Sequence, residues 1–181
     1  MARMDPLRRQ DMNQEQGRAY DEVAAKGGRL GGPNGIYIRV PELFELNQNL
    51  GDYLRDNHLS PRLRQLAILV AVRRWNGAYA WGAQARNALS AGSSREVVEA
   101  VNQRQAPVLE DSDDRAVYDA ALELADTGSL SDAAFETALA GLGFNRLLDV
   151  VATVGFYTAV SLTVNVFEVE PNPDFPSTLE P

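Results

Sequence analysis

The longest stretch without a charge decides most of what this chain can become. Residues 150–167 (VVATVGFYTAVSLTVNVF) contain no Asp, Glu, Lys or Arg. As a helix they extend ~27 Å, close to the hydrocarbon thickness of a membrane. The same run carries Thr153, Thr158, Ser161, Thr163 and Asn165, and no Lys or Arg follows it to anchor a lipid interface. The expectation is a helix buried in a core or between subunits, not a membrane span.

The rest of the chain reads as helices able to surround that one. An amphipathic segment covers residues 13–25. It is followed by GGRLGGPNG (residues 27–35), five glycines and a proline that break regular structure. This loop lacks the Lys-Ser/Thr ending of a P-loop and is not a GxGxxG fingerprint. Residues 41–57 open on Pro41 and space Leu43, Leu46, Leu50 and Leu54 for one helical face. Ser60-Pro61 is a hydroxyl cap followed by proline, ahead of the apolar seam Leu63, Leu66, Ala67 and Val70. Asn76-Gly77 ends that helix and Gly92 closes the next, residues 78–91. Ser93 and Glu96 have capping-box spacing. Helices over residues 94–102, 114–126, 131–142 and 145–167 complete the series, and a proline-rich tail (171–181) is expected to be extended, disordered or wrapped on a neighbouring subunit. No stretch shows strand alternation between hairpin turns. The expected fold class is all-α, a helical bundle forming a single domain over residues 1–181.

Charge and rare residues narrow the function. Twenty-five acidic residues against 17 basic ones give a formal charge of −8, which repels nucleic-acid backbones. The absence of cysteine removes disulfides, thiolate metal sites and dithiol redox chemistry, and one histidine, His58, cannot make a histidine-rich metal site. The polar N-terminus lacks a signal-peptide core, so a cytoplasmic protein is expected.

The hairpin LSPRLRQLAILVAVRRWNGAYAWGAQARNALSAG (residues 59–92), with GPNGIYIRVPELFELNQNLGDYLR (32–55) and VVATVGFYTAVSLTVNVFEV (150–169), resembles the carboxymuconolactone decarboxylase family. That superfamily also holds the AhpD-type alkylhydroperoxidases. The resemblance implies an AhpD-like helical bundle that assembles as trimers or hexamers, with pockets near subunit contacts. It also implies a glutamate and, four residues later, a histidine on the helix after Gly77. Here those positions hold Ala80 and Gln84, a methyl and an amide that does not titrate, so neither thiol peroxidase chemistry nor the usual acid/base pair survives.

What remains near that helix is Trp75, Tyr79, Trp81, Gln84 and Asn87, read as the flat walls and orienting amides of a pocket or, alternatively, as packing. Along the final helix Thr153, Tyr157, Ser161 and Asn165 recur every fourth residue, a polar stripe on an apolar rod. Buried polar groups need partners, so the stripe points to neighbouring carbonyls, water, another subunit or a ligand. Tyr157 is the preferred proton donor or polariser, Gln84 and Asn165 orient the substrate, and His58 is a candidate base. Arg74 and Arg39 are candidate clamps for a substrate carboxylate, or solvated surface.

Two readings of function stay open. The first is a cofactor-independent lyase or isomerase acting by proton transfer (decarboxylation, dehydration or cyclisation) on a small cyclic acid, lactone or aromatic polyketide intermediate. The second is a non-catalytic ligand-binding or assembly protein that kept the fold after losing the pair. A metal enzyme built on carboxylates and His58 is disfavoured by the absence of a DxD or ExxH arrangement. The expected partners are a small-molecule substrate and further copies of the chain, with no metal, cofactor, nucleic acid or membrane.

Overall fold

The computed structural model describes residues 2–172, 174 and 178–180. Helices account for the ordered secondary structure, and no strand occurs among the described residues. They are α1 (Gln14–Ala25), α2 (Asn34–Tyr37), α3 (Pro41–Arg55), α4 (Pro61–Arg74), α5 (Ala78–Ser90), α6 (Arg95–Asn102), α7 (Ser112–Thr127) and α8 (Asp132–Val166).

Their ends follow local chemistry. Asn13 and Gln16 cap α1 reciprocally, each side chain accepting from the other's backbone N–H at 2.9 and 3.1 Å. The Ser60 hydroxyl accepts from the Leu63 amide ahead of Pro61, as expected for the start of α4. For α6 the cap is Ser94, accepting from Val97, and not Ser93; the box is shifted by one residue. Gly128, at φ 77°, supplies the left-handed residue that ends α7. Gly143, at φ 73°, breaks α8 into two helical segments, so the separate helices expected over 131–142 and 145–167 are present as two arms of one element.

The centre of the bundle is α4. Every residue from Leu66 to Arg73 is buried, more than two full turns, so the helix is enclosed on all sides by α5, α7 and α8. A buried Arg73 within that run finds oxygens on Asn76, Asn102 (2.5 Å) and Glu180 (3.0 Å). A smaller cluster (Ala19, Tyr37, Ile38 and Phe44, flanked by Leu30) packs the N-terminal segments together beside the main core.

Three expectations are revised. The glycine-rich stretch is not wholly irregular: its end winds into α2, whose four residues are all buried. In α3 the leucine face is turned outward, with Leu43, Leu46 and Leu50 exposed, while Phe44, Gln48 and Leu54 face inward. The inward glutamine has a job: Gln48 Nε2 donates to the Arg29 carbonyl (2.8 Å) and to Asn34 Oδ1 (3.0 Å), tying down the loop's backbone. The described end of the tail docks on its own chain, with Asn102 donating to the Thr178 carbonyl at 2.7 Å and accepting from the Glu180 amide at 3.1 Å. The remainder of the expected 171–181 tail includes residues outside those described.

By length and composition alone α8 would pass for a membrane span. In the fold its inner face belongs to the core, through Val150, Val154, Val160 and Val164. Its outer face is an exposed row, Phe144, Leu148, Val151, Gly155, Ala159, Leu162 and Val166, repeating every three or four residues.

Candidate functional site

Four helices and the glycine-rich loop enclose a cavity of about 420 Å³. That is the size range of small-molecule sites, roughly 300–1,000 Å³. Helix α5 gives it Tyr79, Ala80, Ala83, Gln84 and Asn87, one face read at helical spacing. This face is held close to α8 because Gly77 precedes α5, where a Cβ would lie 2.6 Å from the Ser161 hydroxyl oxygen. Helix α8 contributes Thr153, Phe156, Tyr157 and Val160, and α4 contributes Arg64, Gln65 and Ile68.

The roof is the loop. At Gly32 (φ 63°) a Cβ would lie 2.1 Å from the Tyr79 hydroxyl oxygen, so the loop settles on the tyrosine only because that position carries no side chain. Burial pushes the Tyr79 phenol pKa up, with Arg29 opposing.

Inside, the Gln84 amide donates to the Tyr157 hydroxyl at 3.5 Å, and Asn87 donates to Gln84 Oε1, also at 3.5 Å. Both distances are at the long end for hydrogen bonds, so the relay leaves room for a ligand atom to compete. Burial raises the Tyr157 pKa, while Arg29, Arg55 and Arg64 oppose that rise and the Gln84 bond adds a smaller opposition. The phenol therefore stays protonated at neutral pH, in the state that donates. Two buried polar atoms on the lining have no partner among the described residues, Thr153 Oγ1 and Gln65 Oε1.

Of the residues singled out in the sequence, Tyr157, Gln84, Tyr79 and Asn87 come together here. Thr153 of the α8 stripe joins them, and the remaining candidates lie off the lining. Trp81 is fully buried core, its indole N–H donating to Thr178 Oγ1 at 3.2 Å. Trp75 lies partly exposed at the end of α4 with the Arg74 guanidinium 5.6 Å from its ring centre, and its carbonyl accepts from Asn165 Nδ2 at 2.6 Å. The lower half of the α8 stripe thus locks the α4–α5 turn, because the carbonyls there lack helical partners. Arg74 pairs with Asp126 at 2.6 Å, and Arg39 donates to the Asp5 carbonyl at 2.8 Å. Neither clamps the cavity.

His58 is drawn elsewhere by Asp149, a buried carboxylate that must be satisfied. Asp149 accepts from the Tyr53 hydroxyl (2.6 Å), the His58 amide (2.8 Å) and His58 Nδ1 (2.9 Å). Burial would raise its pKa, but these donors together hold it below the usual carboxylate value. The cluster joins the end of α3 to α8.

Sequence reasoning missed Arg29, Arg55 and Arg64, which reach the cavity from the loop, α3 and α4. They are far apart in the chain, so no spacing announces them; the available signal was an arginine set within the glycine-rich loop.

Residues 41–123 match the model of the carboxymuconolactone decarboxylase family. The chain is similar in fold to the AhpD-core, peroxidase-related protein from Ralstonia eutropha JMP134. Identity is 20%, coverage is 96% of this chain and 94% of that one, and the TM-score is 0.72. A peroxidase-related protein from Silicibacter sp. TM1040 superposes at a TM-score of 0.71, with 18% identity over 96% of this chain and 90% of the other. A cysteine-to-alanine variant of the debrominase Bmp8, solved with 2,3,4-tribromopyrrole, shares 13% identity over 93% of this chain and 90% of its own, with a TM-score of 0.71. No curated protein matches the sequence.

Proposed function

We propose that this chain, an AhpD-like bundle of the carboxymuconolactone decarboxylase superfamily, is a cofactor-independent lyase or isomerase. It acts by proton transfer on a small cyclic acid, lactone or aromatic intermediate held in the cavity beneath Tyr79. The observation that carries this reading is the protonated, cavity-facing phenol of Tyr157, set against a non-titrating amide at Gln84. In a decarboxylation the C–C bond to the substrate's carboxylate breaks, carbon dioxide leaves, and the electron pair moves onto the substrate carbonyl oxygen; the Tyr157 O–H donates to that oxygen, and the Gln84 and Asn87 amides fix its orientation. The lining arginines then stabilise the enolate, or the phenolate left after full transfer. A debrominase of this fold that binds a small aromatic ring supports a ring-sized ligand. Its altered cysteine has no counterpart in a chain without cysteine, so thiol chemistry is set aside. The substrate's identity is tested by turnover of candidate lactones and keto acids, comparing wild type with Tyr157→Phe and Gln84→Ala at matched melting temperature. Unchanged rates in both variants overturn the mechanism.

Ala80 favours the second reading, a binding protein without turnover. Its methyl lines the cavity where the resemblance implies a carboxylate, so no side chain at the family's acid/base positions exchanges protons. Ligand-induced melting shifts without product would select it. On either reading the exposed apolar rows of α3 and α8 are taken as the contact surface of a homo-oligomer, a trimer or hexamer, in the cytoplasm. Light scattering of wild type against Leu148→Glu tests it, a smaller assembly being expected for the variant.

A further inference from the structure

We infer that the ligand of this cavity is an organic anion, a small apolar ring body whose charged group sits against Arg29, Arg55 and Arg64. This rests on the cavity being the functional site and adds the charge of what enters it. The cavity's charge runs against that of the chain. The chain carries a formal charge of −8, with 25 acidic residues to 17 basic. Yet the cavity lining includes three arginines and, among the described residues, no Asp or Glu. Like charges gathered in one small volume repel, and Arg29 lowers the Arg55 pKa after burial has done so. Such a group is held together more easily with an anion between its members.

The partners of the three arginines leave capacity for that anion. Arg55 pairs with Asp52. Arg64 Nη1 makes two bonds of 3.3 Å, to Asn57 Oδ1 and the Leu59 carbonyl. Arg29 makes no side-chain hydrogen bond or ion pair to any described residue, and its loop backbone is pinned by Gln48. An arginine offers five donors in a planar fork, so each of the three retains unused N–H groups. A separate observation points the same way. The Thr153 side chain is fully buried on the lining, and its Oγ1 has no partner, a hydroxyl able to donate to an anionic oxygen or a ring substituent. Other lining residues, Leu54, Ile68, Phe156 and Val160, are apolar and suit the ring. The cavity is thus amphiphilic, with cationic and apolar groups both on its lining.

Two fluorescent probes that differ by one charged group separate the charge from the shape. Anilinonaphthalene sulfonate and its uncharged counterpart phenylnaphthylamine are titrated into the intact protein. The sulfonate should bind at least about tenfold more tightly, an advantage that shrinks as salt is raised. Arg29→Gln, and the double change Arg29→Gln with Arg55→Gln, should erase most of that advantage while leaving the neutral probe and the melting temperature unchanged. The signal should survive Leu148→Glu, which places it away from the outer face of α8. Displacement by benzoate and by phenyl phosphate, but not by benzamide, then ranks the anionic groups. Equal affinity for the two probes, or arginine variants that bind the sulfonate as wild type does, overturns the inference while the cavity reading stands. Failure of both probes to bind overturns the cavity reading itself.

Discussion

Two polar groups sit one turn apart on α8 and meet opposite fates. Asp149 is 1% exposed and takes three donors, from Tyr53 and twice from His58. Thr153, four residues on, is equally buried and its hydroxyl has no partner among the described residues. The first cluster is saturated and joins α3 to α8. The second opens on a cavity whose hydrogen bonds are long and whose arginines keep spare donors. Saturation fits a structural role, and unmet capacity beside a cavity fits a receptor, because there a ligand can reach the unpaired group; Ser161 Oγ, equally buried and unpartnered against Gly77, has no such access.

The comparison is broken first by activity. Tyr157→Phe should lower turnover by about a hundredfold or more, the scale of a lost proton donor, with little change in melting temperature. Asp149→Ala should do the reverse. Losing bonds to a charged acceptor costs about 2–3 kcal/mol, read as a fall of roughly 5–10 °C in melting temperature, with kcat at neutral pH retained by the folded fraction.

The pH dependences differ in the same way. Asp149's folded pKa is depressed, so its stabilisation is complete above the unfolded value of about 3.9 and fades as pH drops through the lower folded value. Acid unfolding of wild type and Asp149→Asn should converge there. Tyr157's folded pKa is raised, so activity that needs the protonated phenol should hold through neutrality and decline only above about pH 10. Smaller still is Thr153→Val. Removing an unpartnered hydroxyl should leave stability within about 0.5 kcal/mol of wild type, or increase it, while weakening ligand binding a few-fold. Smallest is His58→Gln, whose turnover should match wild type within about twofold if its role is structural; a large loss would erase the distinction between the clusters.

Much of the architecture was legible because helix ends and charge are local properties. Ser60-Pro61 and Gly92 announce boundaries through the groups that satisfy free amides and carbonyls, and an uncharged run of eighteen residues calls for enclosure, which the core gives to one face of α8 and not to the other. Orientation was less legible. The leucines of α3 define a face but not which way it points, and the buried side belongs to Phe44 and to Gln48, whose amide is needed by the loop. Half of the site was readable from α5 and from the upper stripe of α8, since those residues share a helix face. The arginines were not, because they converge from three segments. The tryptophans misled for a physical reason: an indole satisfies its N–H as well on a docked tail as on a ligand, and Trp81 uses Thr178.

The meeting of Gly32 with Tyr79 has a consequence for how such a cavity can diversify. Its ceiling is set by a contact with no slack, 2.1 Å from where a first carbon would stand. Any heavier residue there must displace the Tyr79 ring or the loop, and would sit in a left-handed backbone conformation besides, so a single codon change would reshape the ceiling. The walls differ, since Ala80 and Ala83 line the cavity with methyl groups alone.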